Sequence, residues 1–158
     1  MTTSTEITSL RLPPVLHGQQ TPEVDERIKR FYLSLEPMFE AWIARSTSPH
    51  TQRAYRQDIC SLLAHLGICW PVESLRLLTT SVDDIQAWRD QLVSQGKAPK
   101  TINRRISSVS GFFKYLQGVA AELRLPITVP NPAHAQFIAR ASTDPVHETK
   151  SLTVTCPR

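Results

Sequence analysis

The chain has 158 residues, 41% of them hydrophobic and 20% charged, with a net charge of +4 and a pI near 9.2. This length suits one domain plus tails, and the hydrophobic fraction lies above the disordered range. The first twenty residues lack the plan of a signal peptide, and no apolar run approaches the roughly 18 residues of a membrane span. The composition therefore excludes a disordered chain and supports neither export nor a membrane location, while the charge mildly favours acidic partners.

The three cysteines, Cys60, Cys69 and Cys156, are an odd number at spacings that match no zinc site. Cys60 and Cys69 lie in or beside an apolar run, where a thiol behaves as a small hydrophobe. The five histidines are scattered, and the five glycines form no phosphate-binding loop. We therefore expect a cytoplasmic protein without a metal ion or a small-molecule cofactor.

The chain is predicted to begin with a disordered tail over residues 1–20, which are rich in Thr, Ser and Pro and show no period. Thr21 and Pro22 are typical of a helix start, as a cap and a first-turn residue. Pro37 interrupts this helix and predicts a kink or two abutting helices. The apolar stripe consists of Val24, Ile28, Phe31, Leu35, Phe39 and Trp42.

A second helix is predicted from Ser48, as cap, and Pro49, in the first turn, to Gly67, a typical C-terminal residue. Its buried stripe consists of Tyr55, Ile59, Leu62 and Leu66. Its charged residues on the other side are Arg53 and Arg56, with Asp58 as the only acid. This helix is therefore predicted to expose a basic side.

Residues 68–80 are predicted to form a connecting loop with an apolar patch. A third helix then begins at Ser81-Val-Asp-Asp84, which resembles a capping box with acids placed against the helix dipole. Gly96 ends it. Its inward side is predicted to be Val82, Ile85, Trp88 and Leu92.

The fourth helix, predicted from Pro99 to about Gly118, carries two patterns. Its apolar stripe at steps of four and three consists of Ile102, Ile106, Val109, Phe113 and Leu116. The other residues include Lys97, Lys100, Arg104, Arg105 and Lys114, without any acid. Because solvated helices usually mix charges, this segment predicts an external polyanion, most commonly nucleic acid phosphate. The alternative is a basic solvated surface without a partner.

The rest of the chain contains one further helix signal, Asn131-Pro132, which predicts a short helix with Phe137 and Ile138. Residues 142–158 read as a linker or tail. Since no segment alternates with a period of two, we expect an all-α fold, a compact bundle of four to five helices in a domain spanning residues 21–141.

Two helices begin alike, because Pro49-His50-Thr51 and Pro99-Lys100-Thr101 both read Pro-x-Thr with an Arg about one turn later. A helix N-terminus offers unpaired N–H groups to a phosphate, and Arg forks onto a phosphate or a guanine edge. We therefore expect both starts to point outward together into one DNA groove. The alternative is that Pro and Thr simply start helices well.

Four segments together resemble a known family: Ser48-Pro-His-Thr51-x-x-x-Tyr55-x-x-Asp58-Ile, Leu78-Thr-Thr-x-x-x-Asp84-Ile, Gly96-Lys-Ala-Pro-Lys-Thr101-Ile-Asn-Arg104-Arg-Ile and Asn131-Pro132. Over about residues 37–135 the chain resembles the SAM-like core-binding domain of phage-integrase-type tyrosine recombinases. The resemblance implies a helical arm of a clamp around duplex DNA, with the second and fourth helices toward the major groove. Together with the residue chemistry it predicts these DNA contacts: His50, Thr51, Arg53, Arg56, Lys97, Lys100, Thr101, Asn103, Arg104 and Arg105.

The resemblance also implies that strand cleavage needs a second domain with a tyrosine nucleophile. Tyr32, Tyr55 and Tyr115 lie in or beside apolar stripes, so we expect them to pack and this chain alone not to cleave DNA. By analogy, other copies of the chain are a second candidate partner, through Phe39, Trp42 and residues 132–141. The chain is then either part of a longer recombinase or a stand-alone DNA-binding relic.

Two other functions remain open, a helical DNA-binding regulator and a helical module that binds an acidic protein. Arg53 and Arg104 lie off the apolar stripes. Replacing either one is therefore expected to weaken DNA binding without lowering stability.

Overall fold

A computed structural model describes residues 21–142, which form five α-helices and one short 3-10 helix without any strand. In chain order these are α1 (Pro22–Leu33), α2 (Leu35–Ala44), α3 (Pro49–Leu66), the 3-10 helix (Ser74–Thr79), α4 (Val82–Ser94) and α5 (Pro99–Glu122). The predicted all-α bundle is confirmed for this range, in which no helix is long and apolar enough to cross a bilayer. The predicted tails, apart from residue 142, lie outside the described residues.

The predicted helix caps are present. The Ser48 hydroxyl accepts a hydrogen bond from the Thr51 N–H at 3.4 Å. Ser81 and Asp84 form the reciprocal capping box, each side chain accepting from the other's backbone N–H at 3.1 and 2.9 Å. Gly67 ends α3 with a φ of 65°, a left-handed conformation that suits glycine. The helix ends could be predicted from these signals because each one acts within a single helical turn.

The predicted interruption near Pro37 takes the form of two abutting helices, one of the two predicted outcomes. Only Ser34 lies between α1 and α2, and Pro37 is the third residue of α2. In the first turn its missing N–H breaks no helical hydrogen bond. At the other end of the domain, α5 continues past Gly118 to Glu122, four residues beyond its predicted end.

The predicted short helix after Asn131 is wrong, because residues 131–138 adopt turns. The Asn131 side chain accepts from the Ala133 N–H at 3.2 Å, an Asx turn that competes with a helix start. Ile138 is buried, whereas Phe137 is 55% exposed. The segment is thus held by burial and local turns.

α5 is the central helix and packs against α2, α3 and α4. Its predicted apolar stripe is buried in full. Phe112, Ser108 and Ser110 are buried as well, so the helix is covered over much more than one stripe. Trp88 of α4 is fully buried, and its indole N–H donates to the Ser61 hydroxyl at 3.3 Å.

The contacts along α3 show how the helices run. From α3 to α4, Ser61 meets Trp88 and His65 meets Gln91 (2.6 Å), so these two helices are parallel. The chain then turns tightly at Gly96, where φ is 73°, and α5 returns antiparallel to both. Residues 68–80 return the chain from the end of α3 to the level of its start, so that α4 can run parallel to α3.

Tyr32 is 2% exposed, and its hydroxyl has no hydrogen-bond partner within residues 21–142. Because burial raises the pKa of Tyr32 from 10.0 to about 12, stability is full below pH 10 and falls as the pH rises toward 12. We expect Tyr32→Phe to preserve or raise the free energy of unfolding at pH 7, since an unpaired buried hydroxyl costs about 1–3 kcal/mol.

Urea titrations at pH 7 and at about pH 11 test this prediction, with Tyr115→Phe, a half-buried ring, as the control. The Tyr32→Phe protein should lose less stability at the higher pH than the wild type. A clear loss of stability at pH 7 would mean that the hydroxyl is hydrogen-bonded.

Candidate nucleic-acid interface

The two Pro-x-Thr helix starts do not lie together. Arg45, four residues before α3, places its guanidinium 5.5 Å from the Tyr115 ring centre of α5. Tyr115 is sixteen residues from Pro99, or about 24 Å along the helix. The prediction that both starts point into one groove is therefore wrong in its geometry, because antiparallel packing puts them at opposite ends of a shared surface.

That surface, the α3/α5 face, is defined by six exposed residues: His50, Arg53, Lys100, Arg104, Ser107 and Lys114. The four residues from α5 lie on one side of that helix, at steps of four, three and seven. No exposed acid belongs to this set. The face therefore carries positive charge from the start of α3 to the start of α5.

A groove of about 1120 Å³ opens on this side, between α5 and the segment joining α2 to α3. Its charged lining residues are Arg45, Arg104, Lys114 and Glu122, three cations against one acid. Trp42 and Tyr55 form an aromatic wall, with stacked rings 4.9 Å apart. The groove is thus lined by both cationic and aromatic side chains.

Four of the predicted DNA contacts are exposed, and their side chains make no hydrogen bond or ion pair within residues 21–142: His50, Arg53, Lys97 and Lys100. Lys97 and Lys100 flank the N-terminus of α5, where Ala98 provides no side-chain cap. The first-turn N–H groups of α5 therefore have no side-chain partner. Thr51 and Thr101 are half-buried in the first turns of their helices.

Arg56, another predicted contact, is paired within the chain. Its two terminal nitrogens donate to the two carboxylate oxygens of Glu40, each at 2.8 Å. This hydrogen bonding lowers the pKa of Glu40 and raises the pKa of Arg56. The guanidinium also lies 5.6 Å from the Phe39 ring centre, so Arg56 is turned toward α2 and its charge is offset.

Arg104 and Arg105 meet a buried carboxylate between α3 and α5. Asp58 is 0% exposed; it accepts from Arg104 Nη2 at 2.8 Å and from the Ser108 hydroxyl at 2.7 Å. Arg105 Nε lies 3.8 Å from the same carboxylate, and Arg105 Nη1 donates to the Ser61 hydroxyl at 2.8 Å. The Arg104 side chain is 50% exposed and that of Arg105 is 19% exposed.

The sequence contains a signal for this cluster, although the cluster was not predicted. Asp58 follows Tyr55 by three residues and precedes Ile59 by one, so it lies on the buried stripe of α3. A carboxylate in that position needs a cation and hydrogen bonds. The expectation that Arg104 can be removed without loss of stability is therefore replaced by the opposite one.

Asn103, also a predicted contact, binds the backbone of the chain itself. Its amide oxygen accepts from the Ala141 N–H at 2.8 Å, and its amide nitrogen donates to the Ala141 carbonyl at 3.1 Å. Two further residues at steps of seven on α5 also contact the segment before Ala141: the Ser110 hydroxyl accepts from the Asn131 side-chain amide at 3.1 Å, and the Gln117 amide donates to the Val129 carbonyl at 2.7 Å. One N–H of the Asn103 amide is engaged in this bidentate contact, which leaves its second N–H as the donor for a ligand.

The tyrosines and the suggested interface residues are largely packed. Tyr55 stacks on Trp42, and Tyr115 lies under Arg45. Phe39 and Trp42, suggested by analogy as contacts to another copy, are 2% and 6% exposed and belong to the core. Phe39 and Trp42 therefore offer little area to another copy, which corrects the suggestion for these two residues. Residues 132–141, which include the exposed Phe137, stay a prediction.

Comparison with known proteins identifies the family. The family model for the phage integrase N-terminal SAM-like domain matches residues 39–118. Tyrosine recombinase XerC of Pseudomonas savastanoi pv. phaseolicola is 28% identical over 108 residues, which is 60% of this chain and 35% of that protein. The XerC of Pseudomonas syringae pv. tomato is 32% identical over 111 residues, with the same coverage, and that of Alcanivorax borkumensis is 35% identical over 80 residues, 49% of this chain and 24% of the relative.

The chain thus spans about a third of the length of the first of these relatives. No solved structure matches the chain significantly. The family match covers half of the chain and includes α3, α4 and most of α5. The chain belongs to the phage integrase N-terminal SAM-like family, the core-binding, DNA-binding domains of integrases and recombinases.

Proposed function

We propose that the chain binds duplex DNA sequence-specifically, as the core-binding arm of a site-specific tyrosine recombinase or integrase. The observation that carries this proposal is the α3/α5 face, whose cations at both ends have no side-chain partner within residues 21–142 and whose adjoining groove is lined by three cations against one acid, Glu122. Basic side chains without internal partners are suited to phosphate, which supplies most of the affinity for DNA. The relatives' name, tyrosine recombinase, supports the same function.

The two ends of the face are proposed to contact separate phosphates. At one end, Lys97 and Lys100 flank the uncapped N-terminus of α5, where N–H groups and the helix dipole favour an anion. At the other end, His50 and Arg53 lie in the first turns of α3. A separation of about 24 Å corresponds to about seven base pairs along a duplex, at 3.4 Å each.

Arg104 lies between these ends and is proposed to reach a central phosphate. Arg56, Asn103 and Arg105 are proposed as weaker contributors, because each is engaged within the chain. No strand cleavage is proposed for this chain. Selection of bound duplexes from a random-sequence library would identify the target sequence.

Two exposed cysteines provide a test that needs no mutation. Cys60 lies on the outward side of α3 near Arg53, whereas Cys69 lies beyond α3, next to Trp70, which packs on Phe39 of α2. We expect a duplex to slow alkylation of Cys60 by iodoacetamide and to leave Cys69 unchanged. Peptide mass spectrometry separates the two sites.

The protection should depend on salt in the manner of phosphate binding. With about five phosphates neutralised, log affinity should fall with log salt at a slope of about −4.5. Duplex binding without protection of Cys60 would contradict the proposed face. Absence of duplex binding would favour the module that binds an acidic protein.

A further inference from the structure

Asp58 is placed where an apolar residue would be the simpler solution. Its neighbours on the buried side of α3, Ile59 and Leu62, are 1% and 0% exposed. A carboxylate loses its hydration in such a place, and hydrophobic groups of similar volume often replace buried ion pairs without loss of stability. A stabilising role alone therefore explains this residue poorly.

Asp58 restricts the conformation of the Arg104 side chain but uses only one of its hydrogen-bond donors. Only Nη2 of the guanidinium is hydrogen-bonded within residues 21–142, at 2.8 Å from the carboxylate. Nε and Nη1 have no such partner, and the side chain is 50% exposed. Arg104 is therefore held on one edge while donors remain for a ligand.

The carboxylate is itself fixed from two sides. Ser108, one turn after Arg104 on α5, donates to the second oxygen at 2.7 Å and also to the Arg104 carbonyl at 3.1 Å. Arg105 Nε lies 3.8 Å from the oxygen that Arg104 contacts and adds positive charge there without a hydrogen bond. With two guanidinium groups around one carboxylate, the cluster remains positive by one charge.

We infer that Asp58 is a positioning residue for duplex binding, which holds the Arg104 guanidinium ready for DNA in the middle of the α3/α5 face. The inference rests on the function proposed above. A long side chain that is already ordered loses less conformational freedom on binding, so pre-ordering raises affinity. Asp58 itself does not touch the DNA.

A purely electrostatic role and a positioning role of Asp58 predict opposite changes in duplex affinity for Asp58→Asn. Removing a negative charge close to DNA should tighten binding if charge alone matters. If Asp58 positions Arg104, the variant should bind about 5- to 10-fold more weakly at 0.1 M salt, the value of one lost phosphate contact. The salt slope should become shallower by about one, which a merely structural role would not change.

The experiment measures fluorescence anisotropy with a labelled duplex, over a salt series, well below the melting temperature of each variant. Glu40→Gln is the matched control, because it removes an exposed acid that also pairs with an arginine, Arg56. This control is expected to tighten binding. A third protein, Arg104→Gln, tests the route, since adding Asp58→Asn to it should cause no further loss of affinity.

The outcomes separate the two proposals. If the wild type does not bind the duplex, the proposed function fails. If it binds and Asp58→Asn binds equally well or more tightly, the positioning role is overturned while the function stands. If Asp58→Asn weakens binding to the same degree in the Arg104→Gln background, the effect does not pass through Arg104 and the inference is also overturned.

Discussion

Arg104→Ala is expected to lower both the free energy of unfolding and the duplex affinity, whereas Arg53→Ala should lower affinity alone. The difference arises because Arg104 has a buried partner inside the chain, whereas the Arg53 side chain has none within residues 21–142. Arg53 is exposed and has no partner within residues 21–142. Removal of Arg104 leaves the fully buried Asp58 with one hydrogen bond, from Ser108, and with Arg105 at 3.8 Å.

The expected loss of stability for Arg104→Ala is about 1–3 kcal/mol, the cost of a buried polar group left without a partner. The figure stays below that for a completely broken buried ion pair because Ser108 and Arg105 remain and Arg104 is half exposed. Urea denaturation followed by tryptophan fluorescence measures it. Arg53→Ala, expected within about 0.5 kcal/mol of the wild type, is the matched control.

A double variant shows whether Asp58 causes the loss. Asp58→Asn removes the charge that Arg104→Ala strands, so the double variant should be more stable than the sum of the two single effects predicts. Strict additivity, or an Arg104→Ala protein as stable as the wild type, would show that the carboxylate does not depend on Arg104.

The helices could be predicted because their signals are local. Ser48 with Pro49, and Ser81 with Asp84, act within one turn of the helix that they start. The apolar stripes also depend only on the helix period, and Ile106, for example, is buried as its stripe required. Pro37 left two outcomes open, because the choice between a kink and a break depends on packing against other helices.

The arrangement of the helices could not be read from the same signals. The relative direction of α3 and α5 follows from how residues 68–80 cross the bundle, and that segment has no period. The similar sequences of the two helix starts therefore suggested that both enter one groove, whereas the structure places the two starts at opposite ends of the α3/α5 face. The short helix at Asn131 failed for a related reason, since a side-chain turn and burial of Ile138 outweighed a weak start signal.

The sequence predicted which residue types form the site better than it predicted which of their side chains are free of contacts within the chain. Lys100 and Arg53 are exposed cations, as their positions off the stripes required. Asn103 and Arg104 also lie off the stripe, yet each is engaged by a group distant in sequence, at Ala141 and Asp58. Such partners come from tertiary packing, which helix periodicity does not encode.

The largest effect on binding is expected from Arg53→Ala combined with Lys100→Ala, which removes one unpaired cation from each end of the α3/α5 face. If both contact phosphates, the salt slope should become shallower by about 1.8 and affinity at 0.1 M salt should fall about 10- to 100-fold. Because neither residue has an internal partner within residues 21–142, stability should change by less than about 0.5 kcal/mol.

The control for this experiment is Lys29→Ala combined with Arg30→Ala, which makes the same change in net charge on α1, a helix that contributes no residue to the face. Lys29 forms one ion pair, an exposed one with Glu26 at 3.8 Å, whose loss costs little stability. If net charge alone drives binding, both double variants weaken it equally, and the proposed face is wrong. If the face is correct, only the first one does. The single variants add a geometric test: ends that contact separate phosphates on one duplex should contribute independently, so that the two logarithmic losses add. A double variant no weaker than Lys100→Ala would instead mean that only the α5 end touches DNA, and that the 24 Å between the helix starts, about sixteen residues of α5, is too wide for the duplex to bridge.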